Sequence, residues 1–217
     1  MAALAVLHEL DLTARYCKHI IILKKELYTV VNMEPEQSEQ ADLIGKGYIQ
    51  VYTGNGKGKT TAILGLAFRA MGHDLKTYIG QFMKGQQYGE LESAKMVSSY
   101  ITIEQYGQGQ FIHVKPTPDK ADVDSAHIGM SKAADAMLSL DYDIVVMDEI
   151  LTASYFKLVS VDDILAVINK KPSGVELVLT GRYAPQEIID AADLVTEMVE
   201  VKHYYKKGVL ARAGIER

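Results

Sequence analysis

Cysteine is all but missing from this chain: Cys17 is the only one in 217 residues. A single cysteine excludes an intrachain disulfide framework, a cysteine-rich zinc site and a cysteine-ligated iron–sulfur cluster. It fits a reducing compartment. Long apolar runs are missing as well. The aliphatic stretch Ile20 to Leu23 falls far short of the ~20 residues that cross a bilayer. Met1 to Leu7 is apolar, but it lacks a basic leader and is followed at once by Glu9 and Asp11, which makes a poor secretion signal. Basic charge is not in excess either. Lysine and arginine number 23 against 28 acidic residues, a net charge of −5 with a pI near 5.7. That balance argues against a nucleic-acid backbone binder, which usually shows a strongly basic face. A small polyphosphate ligand stays open, because it needs only a few local donors. The expectation is a cytoplasmic protein with no membrane span and no nucleic-acid partner.

What is present is ordinary enough to build a core. Hydrophobic residues make up 48% and charged residues 24%, the balance of a globular protein of one domain with an appendage. Met33 to Gln40 is acidic, polar and without apolar period, and Gly45 and Gly47 close it. Residues 1–46 therefore read as an N-terminal extension and linker, and residues 47–217 as the domain.

In that domain, short apolar runs alternate with segments of helical period. Strands are expected at Tyr48–Tyr52, Thr77–Phe82, Thr102–Gln105, Asp143–Asp148, Glu176–Thr180 and Leu194–Val201. Helices are expected from Thr60 to Gly72, at Leu91–Ser99, Asp122–Leu140, Val161–Lys170 and Pro185–Ala192. Tyr106 to Pro118 reads as loop. The alternation implies an α/β fold with a mostly parallel sheet and helices on both faces.

One segment carries chemistry. Thr53-Gly54-Asn55-Gly56-Lys57-Gly58-Lys59-Thr60-Thr61 lies between an expected strand and an expected helix, the context a phosphate loop requires. Glycines let successive N–H groups turn inward as an anion nest. The following helix aims its positive end at the same point. Lys59 supplies a point charge, and the Thr60 hydroxyl can ligate Mg²⁺. The generic pattern has glycine or alanine where this chain has Thr53. A second element is Ile144 to Glu149, an apolar strand ending in Asp148 and Glu149. Such a strand is expected beside the cradle strand, its terminal acid holding Mg²⁺ directly or through water. The fold these imply is the three-layer P-loop NTPase type.

These residues resemble a family. Thr53 to Thr61, with Gly65, Ala67, Arg69, Ala70 and Gly72, then Gln81-Phe82-x-Lys84-Gly85, is similar to the bacterial phosphate-loop ATP:corrinoid adenosyltransferases. Further matches are Val146 to Glu149, Leu179-Thr180-Gly181-Arg182, and the ending Val201-Lys202-His203 … Gly208-Val209 … Ala211 … Gly214-Ile215. The family carries threonine at the first loop position, which accounts for Thr53. The likeness runs from about Gly47 to Arg217.

The resemblance implies a reaction in which Co(I) of a corrinoid attacks the 5′ carbon of ATP and triphosphate leaves. It implies ATP bound reversed relative to ordinary NTPases, with the ribose carbon exposed. Gly54, Asn55, Gly56, Lys57, Gly58, Lys59, Thr60 and Thr61 would hold the phosphates. Thr60 and Glu149 match the family's metal-holding positions, with Asp148 beside them. Lys59, Thr60 and Glu149 are thus the expected catalytic residues. Arg182 either reaches a phosphate or is a surface arginine on a turn, and Arg69 has packing or a salt bridge as its alternative. Apolar packing under the corrin would strip cobalt of its axial ligand. The matching segment is Gly109 to His113, with Phe111 at a family phenylalanine and His113 where better-known members carry tryptophan, a residue this chain lacks. His113 either packs as a flat ring or is an exposed loop histidine. An electron donor such as a flavoprotein reductase and a homodimer are further expected partners.

Other residues read as structural: His73, His127 and His203 lack mutual ligand spacing, Lys206-Lys207 reads as a solvated pair, and Met130 and Met137 read as core. Leu4 to Leu12, with His8, followed by Ile20 to Lys24, resembles the switch-histidine region of ABC-transporter ATPases. It lacks that family's phosphate loop, so it reads as a fusion remnant, the alternative being a segment that folds over the active site. Two other functions compete with the transferase: a phosphate-loop ATPase or kinase that breaks the β–γ bond, and a nucleotide-binding module without turnover.

Overall fold

The computed structural model describes residues 20–24, 27–31, 45–108 and 118–216. The chain divides into two compact units, Met1–Leu43 and Ile44–Arg217. In the first, β1 (Ile20–Lys24) pairs antiparallel with β2 (Leu27–Val31), Ile20 opposite Val31 and Lys24 opposite Leu27. β2 was not anticipated, although Leu-Tyr-Thr-Val-Val is rich in strand formers. Leu4 to Leu12 lies outside the described residues.

The second unit is built on six parallel strands: β3 (Ile49–Thr53), β4 (Thr77–Phe82), β5 (Ile101–Tyr106), β6 (Ile144–Asp148), β7 (Glu176–Thr180) and β8 (Leu194–Glu197). Their spatial order is β5-β4-β6-β7-β3-β8, and every pairing is parallel. The connections carry α1 (Lys59–Met71), α2 (Gly89–Met96), α3 (Lys120–Ser139), α4 (Ile150–Tyr155), α5 (Val161–Ile168) and α6 (Gln186–Ala191). A 3₁₀ turn follows at Tyr204–Lys207.

Strands β4, β6 and β7 are buried along their whole length, as central strands of a parallel sheet must be when both faces are covered. Side-chain alternation splits each strand between two cores. Tyr78, Phe82, Val145, Met147, Leu177 and Leu179 face the core filled from α3 to α6, which includes Met130 and Met137. Ile79, Ile144, Val146 and Val178 face the core filled by Ile63, Ala67 and Ala70 of α1 and Ala94 of α2.

One expectation is corrected. The strand ending in Asp148 does not lie beside the cradle strand. β7 intervenes, pairing with β6 on one side and β3 on the other. After β6 the chain crosses over through α4 and α5 and returns as β7 to fill that slot. The end of β7 thus stands between the phosphate loop and Asp148.

Smaller differences concern ends. β8 stops at Glu197 rather than Val201. Met198 makes the last rung, its N–H donating to the Thr53 carbonyl at 2.8 Å, and its own carbonyl accepts from Gly56 of the loop at 2.6 Å, so beyond it the pairing passes from β3 to the loop. α2 begins two residues earlier than expected, and α4 was not anticipated. No helix among the described residues is long and apolar enough to cross a membrane. Phe111 and His113 lie outside the described residues.

Candidate active site

Between β3 and α1 the chain turns through residues 54–58. Gly54 has φ +93, and a Cβ there would come within 2.5 Å of the Met198 carbonyl. Neither the angle nor the space tolerates a side chain. Gly58 caps α1 without any side-chain bond, and the first turn of α1 holds no acid. The helix therefore presents its amide groups and positive end to whatever anion enters. The nest is narrower than its sequence suggests, since the Gly56 N–H is taken by Met198.

Lys59 is only 5% exposed. Its Nζ donates to the carbonyls of Gly54 at 2.7 Å and Gly56 at 3.0 Å, folding the ammonium into the loop. Burial pulls its pKa below the ordinary 10.5, with the Arg182 charge in the same direction and Glu149 and Asp148 opposing. Asn55 stands exposed on the loop, and Thr61 is exposed on the first turn of α1.

Asp148 is the hub, with no exposed surface. The Thr60 hydroxyl lies 3.1 and 3.2 Å from its two oxygens. Thr180 Oγ1, from the end of β7, donates to Oδ1 at 2.7 Å and accepts the Glu149 N–H at 2.9 Å. The intervening strand thus bridges the gap it creates. Lys84 Nζ donates to Oδ2 at 2.9 Å. Burial pushes the Lys84 pKa down, but Asp148, then Glu90 and Glu149, outweigh it and hold the ammonium above its ordinary value.

Glu149 does not meet Thr60. Its backbone is left-handed, φ 64, and its carboxylate accepts from Thr152 Oγ1 at 2.5 Å. The same hydroxyl oxygen accepts the Arg182 N–H at 2.8 Å. The backbone of Arg182 is therefore anchored to the turn that carries Glu149, while its side chain is exposed on the cleft.

Lys57, expected among the phosphate donors, is engaged elsewhere. Its Nζ donates to Glu216 at 2.8 Å and Tyr204 at 2.9 Å. Glu216 also accepts from Arg212 and Tyr204, and these hydrogen bonds, that from Arg212 foremost, hold its carboxyl far below the usual range. His203, expected to be structural, lines the cleft, its Nδ1 accepting the Tyr205 N–H at 3.1 Å.

The loop opens onto a cleft of about 900 Å³. Its lining includes polar Lys59, Thr60, Lys84, Glu149 and Arg182 and apolar Leu64, Phe68, Met96, Ile101 and Ile103. Phe68 and Met96 are 69% and 85% exposed, an apolar surface beside a phosphate site. Sequence reasoning attached no role to Lys84 or Thr180, although both stood inside the motifs quoted above. Buried Asp148 is the signal that a cation had to be near it.

The side-chain atoms that could ligate a cation here, from Thr60, Asp148 and Glu149, are all oxygens, the set a hard cation such as Mg²⁺ prefers. Among the described residues no three His, Cys, Asp or Glu side chains cluster to hold a metal alone. These oxygens suit a Mg²⁺ whose remaining ligands come from elsewhere than protein side chains.

Known proteins match this chain over the same span. The ATP:corrinoid adenosyltransferase BtuR/CobO/CobP family matches residues 45–217. A corrinoid adenosyltransferase of Pseudomonas aeruginosa is 35% identical over 173 residues, covering 79% of this chain and 84% of that one. One from Salmonella typhimurium is 32% identical over 172 residues, covering 79% and 86%. Among solved structures, a KaiC-like protein of Pyrococcus horikoshii aligns at TM-score 0.48 and 13% identity over 70% of this chain and 72% of that one. The matched span takes in the phosphate loop, the Asp148 hub and the C-terminal segment alike, and on that ground the chain belongs to the ATP:corrinoid adenosyltransferase family.

Proposed function

We propose that this transferase moves the 5′-deoxyadenosyl group of ATP onto Co(I) of a corrinoid and releases triphosphate. The observation that carries the reading is the union, in one cleft, of a phosphate cradle and an apolar surface. An NTPase needs only the first. A second substrate that presents a large, flat, apolar face needs the other.

The chemistry asks little of acid or base groups. The cobalt electron pair forms the Co–C bond as the C5′–O bond breaks, and that pair leaves on triphosphate. Co(I) is already a strong nucleophile, so the protein's work is positioning and stabilising charge on the leaving group. The α1 N-terminus, the loop glycines, Lys59 and Arg182 are the groups assigned to the triphosphate. Lys59 sits ready on two loop carbonyls. Thr60 and Asp148, with Glu149 at the cleft, are the residues that would hold Mg²⁺. When bound, that ion neutralises charge on the departing phosphates. ATP lies reversed in the loop, its ribose carbon toward the apolar surface. On the family resemblance alone, Phe111 and His113 are the residues assigned to the corrin substrate. The electron comes from a donor such as a flavoprotein reductase. The enzyme works as a homodimer in the cytoplasm, where ATP is at hand and the single cysteine stays reduced.

The test is anaerobic incubation with Mg-ATP and chemically reduced cob(I)alamin. The expected result is conversion to the adenosylcobalamin spectrum with equimolar triphosphate. ADP and phosphate instead would mark an ordinary NTPase, and ATP binding without any product a module that does not turn over.

A further inference from the structure

Asp148 is a carboxylate with no exposed surface, and a buried charge of that kind is costly unless a counter-charge meets it. Lys84 is that counter-charge. Its Nζ lies 2.9 Å from Asp148 Oδ2, 3.5 Å from Thr60 Oγ1 and 3.9 Å from Glu90, with the Tyr88 ring 5.4 Å away. It therefore touches both groups assigned above to the divalent cation. A Mg²⁺ bonded to that hydroxyl and that carboxylate, at the ~2.1 Å its ligands require, would lie within a few ångströms of the ammonium. Two cations so close repel strongly. A lone ion also finds too few protein ligands to displace a bonded ammonium, since no cluster of three acidic, histidine or cysteine side chains exists among the described residues.

We propose that Lys84 is a positioning residue that occupies the cation's place on Asp148 and Thr60 until metal and nucleotide enter together. The inference rests on the reading of Thr60 and Asp148 as the cation site. Metal alone is kept out, because it must evict a bonded charge with little to replace the bonds lost. Metal carried by ATP brings phosphate oxygens that complete its own coordination and accept the displaced ammonium. Lys84 lines the same cleft as Lys59 and Arg182, so the eviction turns a counter-ion of the empty site into a cation facing the triphosphate.

The experiment is a Mn²⁺ titration of the full-length protein, followed by electron paramagnetic resonance of the free ion, with and without ATP. Wild type is expected to bind Mn²⁺ tightly only with ATP. Lys84→Met is expected to bind Mn²⁺ without nucleotide about tenfold tighter than wild type, or more, and Lys84→Arg, which keeps the charge, to behave as wild type. Equal nucleotide-free binding by Lys84→Met and wild type, with wild type still binding Mn²⁺ and ATP together, overturns the inference alone. Failure of wild type to bind Mn²⁺ even with ATP removes the cation site and the inference with it. Thermal melting guards against a variant weakened by its uncompensated carboxylate. Mn²⁺ alone should raise the melting temperature of Lys84→Met more than that of wild type, and equal rises count against the role.

Discussion

At the scale of single residues, this cleft is governed by buried charge. Lys59 is held by two loop carbonyls and loses part of its affinity for the proton to burial, a state that favours any arrangement bringing an anion to it. Lys59→Ala is expected to lower kcat/KM for adenosyl transfer by about 10²–10³-fold, the scale of removing one preorganised donor from a leaving-group site. The far-ultraviolet circular dichroism should be unchanged, because only loop carbonyls lose a partner. Transfer at the wild-type rate would remove Lys59 from the cradle. Lys59 was legible in the sequence because a strand, a glycine-rich turn and a helix all announce it. Lys84 was not, because nothing local to Gln81-Phe82-x-Lys84-Gly85 says which carboxylate its ammonium will meet, 64 positions along the chain. Lys57 was legible as a loop lysine but not as the partner of Glu216, 159 positions away. Local pattern names the loop; tertiary pairing decides which of its cations are free.

Among elements, β6 and β7 were read well because burial on both faces leaves continuous apolar runs bounded by polar turns. Their order was not. Hydrophobic pattern is the same whether β6 or β7 borders β3, and only the crossover path decides. The consequence reaches the site, since Thr180 links Asp148 to the Glu149 amide across the strand that sequence reasoning left out of that place. α4 escaped because its first four residues are all buried, so it shows no period against the apolar strand it follows. α5 was legible, and its start carries a reciprocal cap: Ser160 Oγ accepts the Asp163 N–H at 3.1 Å, and the Asp163 carboxylate accepts the Ser160 N–H at 3.0 Å. Ser160→Ala is expected to cost about 1 kcal/mol in urea denaturation at neutral pH. The Ser160 hydroxyl, and after it the Ser160 N–H, holds the Asp163 carboxyl below its ordinary 3.8. A carboxyl lowered in the folded state stabilises above its unfolded value and loses that contribution as pH falls through the folded one. The difference between variant and wild type should therefore be full at neutral pH and shrink below pH 3.8. A pH-independent difference would mean the hydroxyl acts through the Asp163 amide alone.

For the whole molecule, everything at the cleft among the described residues comes from one unit. Ile44–Arg217 encloses both hydrophobic cores, the phosphate loop, the Asp148 hub and the C-terminal residues that engage Lys57. The family match also begins at residue 45. Composition put its division after residue 46, because an acidic, aperiodic stretch cannot bury enough apolar surface to offset the entropy of ordering it. What composition leaves open is whether the first 43 residues are carried along or used. The two possibilities differ in what removal does. If catalysis belongs to the second unit alone, a chain beginning at Ile44 should transfer the adenosyl group at the full-length rate. It should also show the same rise in melting temperature on adding Mg-ATP, since a ligand stabilises only through the sites it occupies. Triphosphate release and a thermal scan measure both. A fall of about tenfold or more in kcat with an unchanged ATP-induced shift would give the N-terminal segment a part in the reaction, about 1.4 kcal/mol of barrier, that nucleotide binding does not need. A loss of both would instead make it part of the fold that holds the phosphate loop.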